Sequence, residues 1–294
     1  MIFTASWGLL TLALAVDPAS APAASNGAPR PQVITEIAAD LQPTRTVVYK
    51  KIGDRELRLH LFEPAGWKPT DRRACFVAIH GGGWTSGDAR RMYPYADHYA
   101  KLGLVGISLE YRLIPKTRMT GPHECAMDGR SALRYLKTHA EELGVDPNKI
   151  VVAGGSAGGH VAAGTALFES IDDPQDDKQI SPAPAGLVLY YPVIDTSSSG
   201  YGNAKCGERW REISPLHQVR KGVPPTIVFH GTGDTVTPYV GARAFDAAMH
   251  RAGNRCELVT HEGGVHGYFL YDRALFDDTV RQTDEFLKSL KLLD

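Results

Sequence analysis

Ile150-Val-Val-Ala-Gly-Gly-Ser-Ala-Gly-Gly159 is the stretch on which the fold turns. Its first four residues are β-branched or small and apolar, the composition of a buried strand. From Ala157 to Phe168 the chain reads as a helix. Between the two lies Gly154-Gly-Ser-Ala-Gly158, a G-x-S-x-G on a strand-to-helix turn. A serine on such a turn must adopt a strained backbone, and only small neighbours avoid clashes around it. Here each neighbour of Ser156 from Gly154 to Gly159 is Gly or Ala. The following helix aims its unpaired N-terminal amides back at the turn, where they meet any negative charge formed beside Ser156. Ser156 is therefore the candidate nucleophile; a purely structural glycine-rich turn is the alternative.

The same strand-then-helix rhythm extends in both directions. Val47–Lys50 and Leu57–Phe62 form an opening hairpin around Gly53-Asp54. Short β-rich runs follow at Cys75–Ile79, Leu104–Leu109, Leu187–Tyr191, Thr226–Phe229 and Cys256–Val259. Helical stretches at Arg90–Lys101, Cys125–Leu143, Tyr239–Ala252 and Arg273–Leu293 separate most of them. Alternation of this kind predicts an α/β fold, a mainly parallel twisted sheet of about eight strands with helices on both faces. No internal repeat interrupts it, and residues 32–294 read as one domain.

Three further stretches belong with Ser156. His80-Gly-Gly-Gly-Trp84 follows the strand Cys75–Ile79. Three glycines at a strand end let backbone N–H groups approach a ligand, and the loop lacks the Lys and Ser/Thr of a phosphate loop. Gly82, Gly83 and Ala157 are thus the candidate amide donors of an oxyanion hole, with His80 shaping the loop. A serine nucleophile also needs a base, and the base needs an orienting carboxylate. Among eleven histidines, His266 stands in a glycine-rich loop between the last strand and the last helix. His261 is its near rival; His60, His98, His139 and His250 read as structural or solvent-facing, and His160 as a neighbour one helical turn from Ser156. Asp234, in Gly231-Thr-Gly-Asp-Thr-Val-Thr-Pro238 after the strand Thr226–Phe229, is the candidate acid. Asp246 and Asp272 have poorer context. Trp84, Tyr111, Trp210 and Tyr268 are candidate substrate-pocket residues. Structural pairing is expected of Asp128 and of the charges in Glu110-Tyr-Arg112.

Composition narrows the function classes. With 43% hydrophobic residues, the 294-residue chain can build a core, and 32 Lys+Arg against 33 Asp+Glu leave no basic surplus for nucleic acid or anionic membrane. The apolar run Trp7–Val16 is too short to span a bilayer, which takes roughly twenty residues. It reads as the core of a signal peptide, with small residues at Ala19, Ala21 and Ala23 and no Lys or Arg ahead of it. Residues 1–31 are then leader and linker, and the protein secreted or periplasmic. Export would permit up to two disulfides among Cys75, Cys125, Cys206 and Cys256 in any of three pairings, with buried free thiols at Cys75 and Cys256 as the alternative. No C-x-x-C spacing suggests a metal. The acidic stretch Ser170–Pro184 reads as a solvated loop, with calcium the remote alternative. The long excursion Ile194–Pro225 is a candidate lid or substrate wall.

Together His80–Trp84, Glu110-Tyr-Arg-Leu113, Gly154–Gly159, Asp234 with Pro238, and His266-Gly267 resemble the α/β-hydrolase fold. The likeness is to its esterase/lipase group, similar to hormone-sensitive lipase and bacterial acetyl esterases, and spans Val47 to the C-terminus. It implies Ser156 as nucleophile, His266 as base, Asp234 as acid, and no cofactor. Two departures concern the substrate: Gly155 stands where hormone-sensitive-lipase-like enzymes commonly carry Asp, and linker occupies the place of a helical cap. Both favour a capless serine esterase for short acyl esters, such as acetyl esters of carbohydrates, over a long-chain lipase. A peptidase resembling prolyl oligopeptidase and a non-catalytic binding member of the fold are the competing expectations.

Overall fold

The computed structural model describes residues 32–115 and 121–294. The expected leader and linker, residues 1–31, lie outside the described residues.

Eight strands form one sheet: β1 (Arg45–Ile52), β2 (Arg55–Phe62), β3 (Arg73–Ile79), β4 (Val105–Leu109), β5 (Val145–Gly155), β6 (Gly186–Tyr190), β7 (Thr226–Gly231) and β8 (Cys256–His261). Their spatial order is β1-β2-β4-β3-β5-β6-β7-β8. The hairpin β1–β2 and the β2–β4 pair are antiparallel, and every other neighbour pair is parallel. The eight-stranded, mainly parallel sheet expected from the sequence is present. Alternate residues of β3 enter opposite cores: Cys75, Val77 and Ile79 pack on one face, Phe76 and Ala78 on the other. Burial on both faces is why this strand reads as an unbroken apolar run.

The main helices are α1 (Val33–Ala38), α2 (Tyr93–Lys101), α3 (Pro122–Thr138), α4 (Ala157–Leu167), α5 (Asn203–Cys206), α6 (Tyr239–Arg251) and α7 (Arg273–Ser289). Several boundaries differ from expectation, three of them informatively. α1 precedes the opening hairpin, where no helix is expected. α3 ends at Thr138, and the chain re-enters the sheet at Val145, so β5 is more than twice the length its apolar residues suggest. β6 stops at Tyr190 because Tyr191 takes a left-handed backbone, φ 36°.

All of α4 is buried, which its Gly and Ala content makes possible. A β-carbon on Gly158 would lie 2.2 Å from the Ile79 carbonyl and 2.4 Å from that of His80. α4 thus rests directly on the end of β3.

The acidic loop is not simply solvated. Asp172 pairs with Arg130 and Arg134, Asp173 with Lys50, and Asp176 with Arg134. Lys50 also reaches Asp128, which takes the Arg112 guanidinium in a two-pronged contact at 2.6 and 2.7 Å. These pairs weld the loop and β1 onto α3, and the structural reading of Asp128 and Arg112 holds. No disulfide forms: all four cysteines are free and buried.

Candidate active site

In the strand order, β3 leads away to β4 on one side while β5 continues to β6 on the other. Loops leaving the C-terminal ends of two such strands diverge and open a crevice. Ile79 pairs with Gly154, so His80–Trp84 and Ser156 emerge side by side. Gly155 pairs with Tyr190, which brings Tyr191 to the same edge. The turn after β7 and the loop after β8 complete the rim, and the structure brings Ser156, Asp234 and His266 together there.

Ser156 has φ 53° and ψ −121°, the strained turn the sequence requires. Its Oγ is 3.0 Å from His266 Nε2, and His266 Nδ1 is 2.8 Å from Asp234 Oδ2. Asp234 Oδ1 accepts the Val236 and Thr237 amides, each at 2.8 Å, and Oδ2 accepts the Thr237 hydroxyl at 2.9 Å. Burial pushes this carboxyl's pKa up, but hydrogen bonds from His230, His266 and the Thr237 amide outweigh it and hold it well below the usual carboxylate range. Asp234 therefore stays ionised, and its oxygen at Nδ1 fixes the His266 tautomer that leaves Nε2 free to take a proton.

The rival residues have other roles. His261 stacks on Tyr268 at 4.4 Å, Asp272 caps α7 through the Leu275 amide, and Asp246 pairs with His250. His60, His98 and His139 bond Glu110, Asp284 and the Tyr135 carbonyl.

Among the described residues, the amides of Gly82, Gly83 and Ala157 donate to no carbonyl or side chain. Ala157 opens α4, where the first amides have no intrahelical acceptor. Gly82 has φ 128°, and a β-carbon there would lie 2.0 Å from the Ser86 carbonyl, so no other residue fits. Three bonds from Thr85 N, Ser86 N and Ser86 Oγ hold the Gly82 carbonyl.

Of the four aromatic candidates, Trp84 and Tyr111 are buried away from substrate and Trp210 and Tyr268 are half-buried. Trp84 is fully buried, wedged between His160 and Tyr201. Tyr111 is buried under the glycine loop, stacking on His80 and donating to its carbonyl at 3.0 Å. Tyr268 packs on His261, and Trp210 sits edge-on to His217. The size and aromaticity of Trp84 and Tyr111 serve packing.

Sequence reasoning missed three neighbours. Tyr191 sets its ring against His266 at 4.9 Å, and its hydroxyl fills the space a side chain on Gly155 would take. Tyr201 and Lys205 come from the long excursion. Lys205 Nζ donates to the Gly83 carbonyl at 3.2 Å, and Tyr201 Oη would lie 2.9 Å from a β-carbon on Gly83. His160 Nε2, 2.6 Å from the Ile213 carbonyl, ties the excursion to α4. These contacts fold the excursion onto the body. Ser156, Tyr191 and Trp84 are three of the four left-handed non-glycine residues among those described, and strain of that kind collects at functional sites. Only Ser156 was foreseeable, from its motif.

This architecture has known counterparts. Residues 76–210 match a family model described as alpha/beta hydrolase fold, and residues 196–290 one described as TAP-like protein. Carboxylesterase NlhH of Mycobacterium tuberculosis is 33% identical over 271 residues, covering 81% of this chain and 77% of that protein. The chain belongs to the α/β-hydrolase family. Esterase LipQ of the same organism is 28% identical over 221 residues, and this α/β-hydrolase spans 51% of its length. Esterase 2 of Thermogutta terrifontis, in a structure phosphoramylated by tabun, aligns with a TM-score of 0.80 and 40% identity over 85% of this chain and 95% of that one. Other structures of the same esterase hold propionate or butyrate.

Proposed function

We propose that this chain is a serine carboxylesterase that hydrolyses short-chain acyl esters through an acyl-enzyme on Ser156. Ser156 Oγ attacks the ester carbonyl carbon while His266 Nε2 takes its proton, and Asp234 stabilises the imidazolium that results. The carbonyl oxygen becomes an oxyanion facing the Gly82, Gly83 and Ala157 amides; donors of this kind contribute ~3 kcal/mol each. As the C–O bond breaks, His266 returns the proton to the departing alcohol. Water then attacks the acyl-enzyme by the same route, regenerating Ser156 and releasing the acid. The observation that carries this reading is the unbroken hydrogen-bond chain from Asp234 through His266 to Ser156, beside three amides without a partner among the described residues.

Acetyl esters of carbohydrates are the substrate class we favour. Propionate and butyrate in the Thermogutta esterase support a short acyl group. Export through the apolar run Trp7–Val16 belongs to the same reading, since polymeric carbohydrate lies outside the cell.

Turnover of p-nitrophenyl acetate, butyrate, octanoate and palmitate by wild type and Ser156→Ala tests the chemistry. Turnover should be highest at acetate to butyrate, and Ser156→Ala should fall to background. Equal rates for the two proteins would overturn the mechanism. Acetate release from acetylated xylan tests the substrate class separately.

A further inference from the structure

The hydrogen-bond chain does not end at Asp234. His230, on β7, is fully buried, and its Nε2 lies 2.7 Å from the Thr237 carbonyl and 3.4 Å from Asp234 Oδ2. A carbonyl oxygen only accepts, so Nε2 carries a proton. Nδ1 of the same ring is buried with no hydrogen-bond partner among the described residues. An unpartnered polar atom in the core is costly, and an apolar side chain would fill this space without that cost. The histidine therefore needs a reason to be there.

Thr237 supplies one. Its amide and hydroxyl both donate to Asp234, and its carbonyl is the atom His230 holds. One contact on β7 thus restrains the turn that carries Asp234.

We propose that His230 is a positioning residue for the Asp234 carboxylate, anchoring the Asp234–Thr237 turn so that Oδ2 stays directed at His266 Nδ1. The proposal rests on the Ser156–His266–Asp234 reading above. The titratable groups facing Asp234 are His230 from β7, His266 from the loop after β8 and Tyr191 from the end of β6. Tyr239 of α6 lies beyond the His230 ring, at 6.0 Å.

Three variants of the full chain separate positioning from packing. His230→Gln keeps an N–H donor near the Nε2 position, and His230→Met keeps bulk without a donor. His230→Asn, whose shorter amide does not reach Thr237, stands in if His230→Met fails to fold. For each, kcat and KM on p-nitrophenyl acetate are measured across pH, and the His266 ring is titrated by NMR. Loss of the donor should lower kcat by about 10- to 100-fold with little change in KM, the size of effect a small misplacement produces. With Asp234 loosened, the His266 imidazolium loses carboxylate support. Its titration and the acid limb of kcat/KM then move to lower pH, and His230→Gln restores most of both. A donor-free variant with wild-type kcat and an unmoved or upward-moved His266 titration would refute the proposal, as would His230→Gln falling as far as His230→Met. The NMR titration needs no turnover, so it judges His230 even if the chain proves not to hydrolyse esters.

Discussion

Two buried polar clusters flank the sheet, built from overlapping residue types and wired differently. In the weld on α3, Asp128 is fully buried and meets Lys50 and Arg112, while Asp172 and Asp176 meet Arg130 and Arg134. Each of these carboxylates faces a permanent cation, so the circuit is closed. At the candidate active site, Asp234 is equally buried but meets histidines and a hydroxyl, and the chain runs out to Ser156 Oγ beside unpaired amides. That circuit is open at one end. A closed circuit holds elements together; an open one can pass a proton to a substrate. Carboxylate burial does not distinguish them, but the partner at the far end does.

The comparison breaks first at Asp234. Asp234→Asn should lower kcat roughly 10⁴-fold by releasing the wrong His266 tautomer. A loss under tenfold would mean that the carboxylate only caps its turn. Gly158→Ala comes next. Its methyl group would press on the Ile79 and His80 carbonyls, so overpacking of about 1–3 kcal/mol should displace Ser156 from the glycine loop. Turnover should drop roughly 100-fold; a variant with wild-type kcat would contradict the close packing of α4 on β3.

On the closed side, Asp128→Ala leaves Arg112 without its carboxylate while Lys50 keeps Asp173, and should cost about 3–5 kcal/mol. Thermal melting should fall by roughly 10 °C, while kcat of the folded fraction stays at the wild-type value. A parallel loss of kcat would merge the two clusters.

The smaller tests concern pH and redox state. Burial pushes the Asp172 carboxyl up, but hydrogen bonds from Arg130 and Arg134 outweigh it and hold its pKa below the usual range. A depressed folded-state pKa stabilises above the ordinary value of about 4, and that stability is lost as pH falls through the lower one. The stability gap between wild type and Asp172→Asn should therefore be full at pH 6 and shrink below pH 4. A pH-independent gap would contradict the charge pairing. The smallest effect is expected of the thiols. They are free and buried, and burial pushes the Cys206 thiol up to about 12. Dithiothreitol should leave the melting curve unchanged; a drop of several degrees would reveal a disulfide.

The open circuit was more legible in the sequence than the closed one. Ser156, Asp234 and His266 each follow a strand and sit among glycines, so local constraint marks them before any contact is known. The Asp172–Arg134 weld leaves no such trace, because its partners lie about 40 residues apart on a helix and a loop and pair only once β5 has brought them together. Long side chains misled in the other direction. Trp84 and Tyr111 look like pocket residues by type, yet they are the packing beneath the glycine loop. Tyr191 and Lys205 escaped because their roles depend on a neighbour's missing side chain, at Gly155 and Gly83. Helix ends were missed where a turn, rather than a change in periodicity, stops the element, as at Thr138.

Peptide mapping after exposure to a fluorophosphonate tests the central claim most directly, since the reagent labels a serine only when a base has activated it. One adduct per chain, on the peptide containing Ser156, absent in Ser156→Ala and forming far more slowly in Asp234→Asn, is the predicted result. An adduct on another residue, or undiminished labelling of Ser156→Ala, would contradict it.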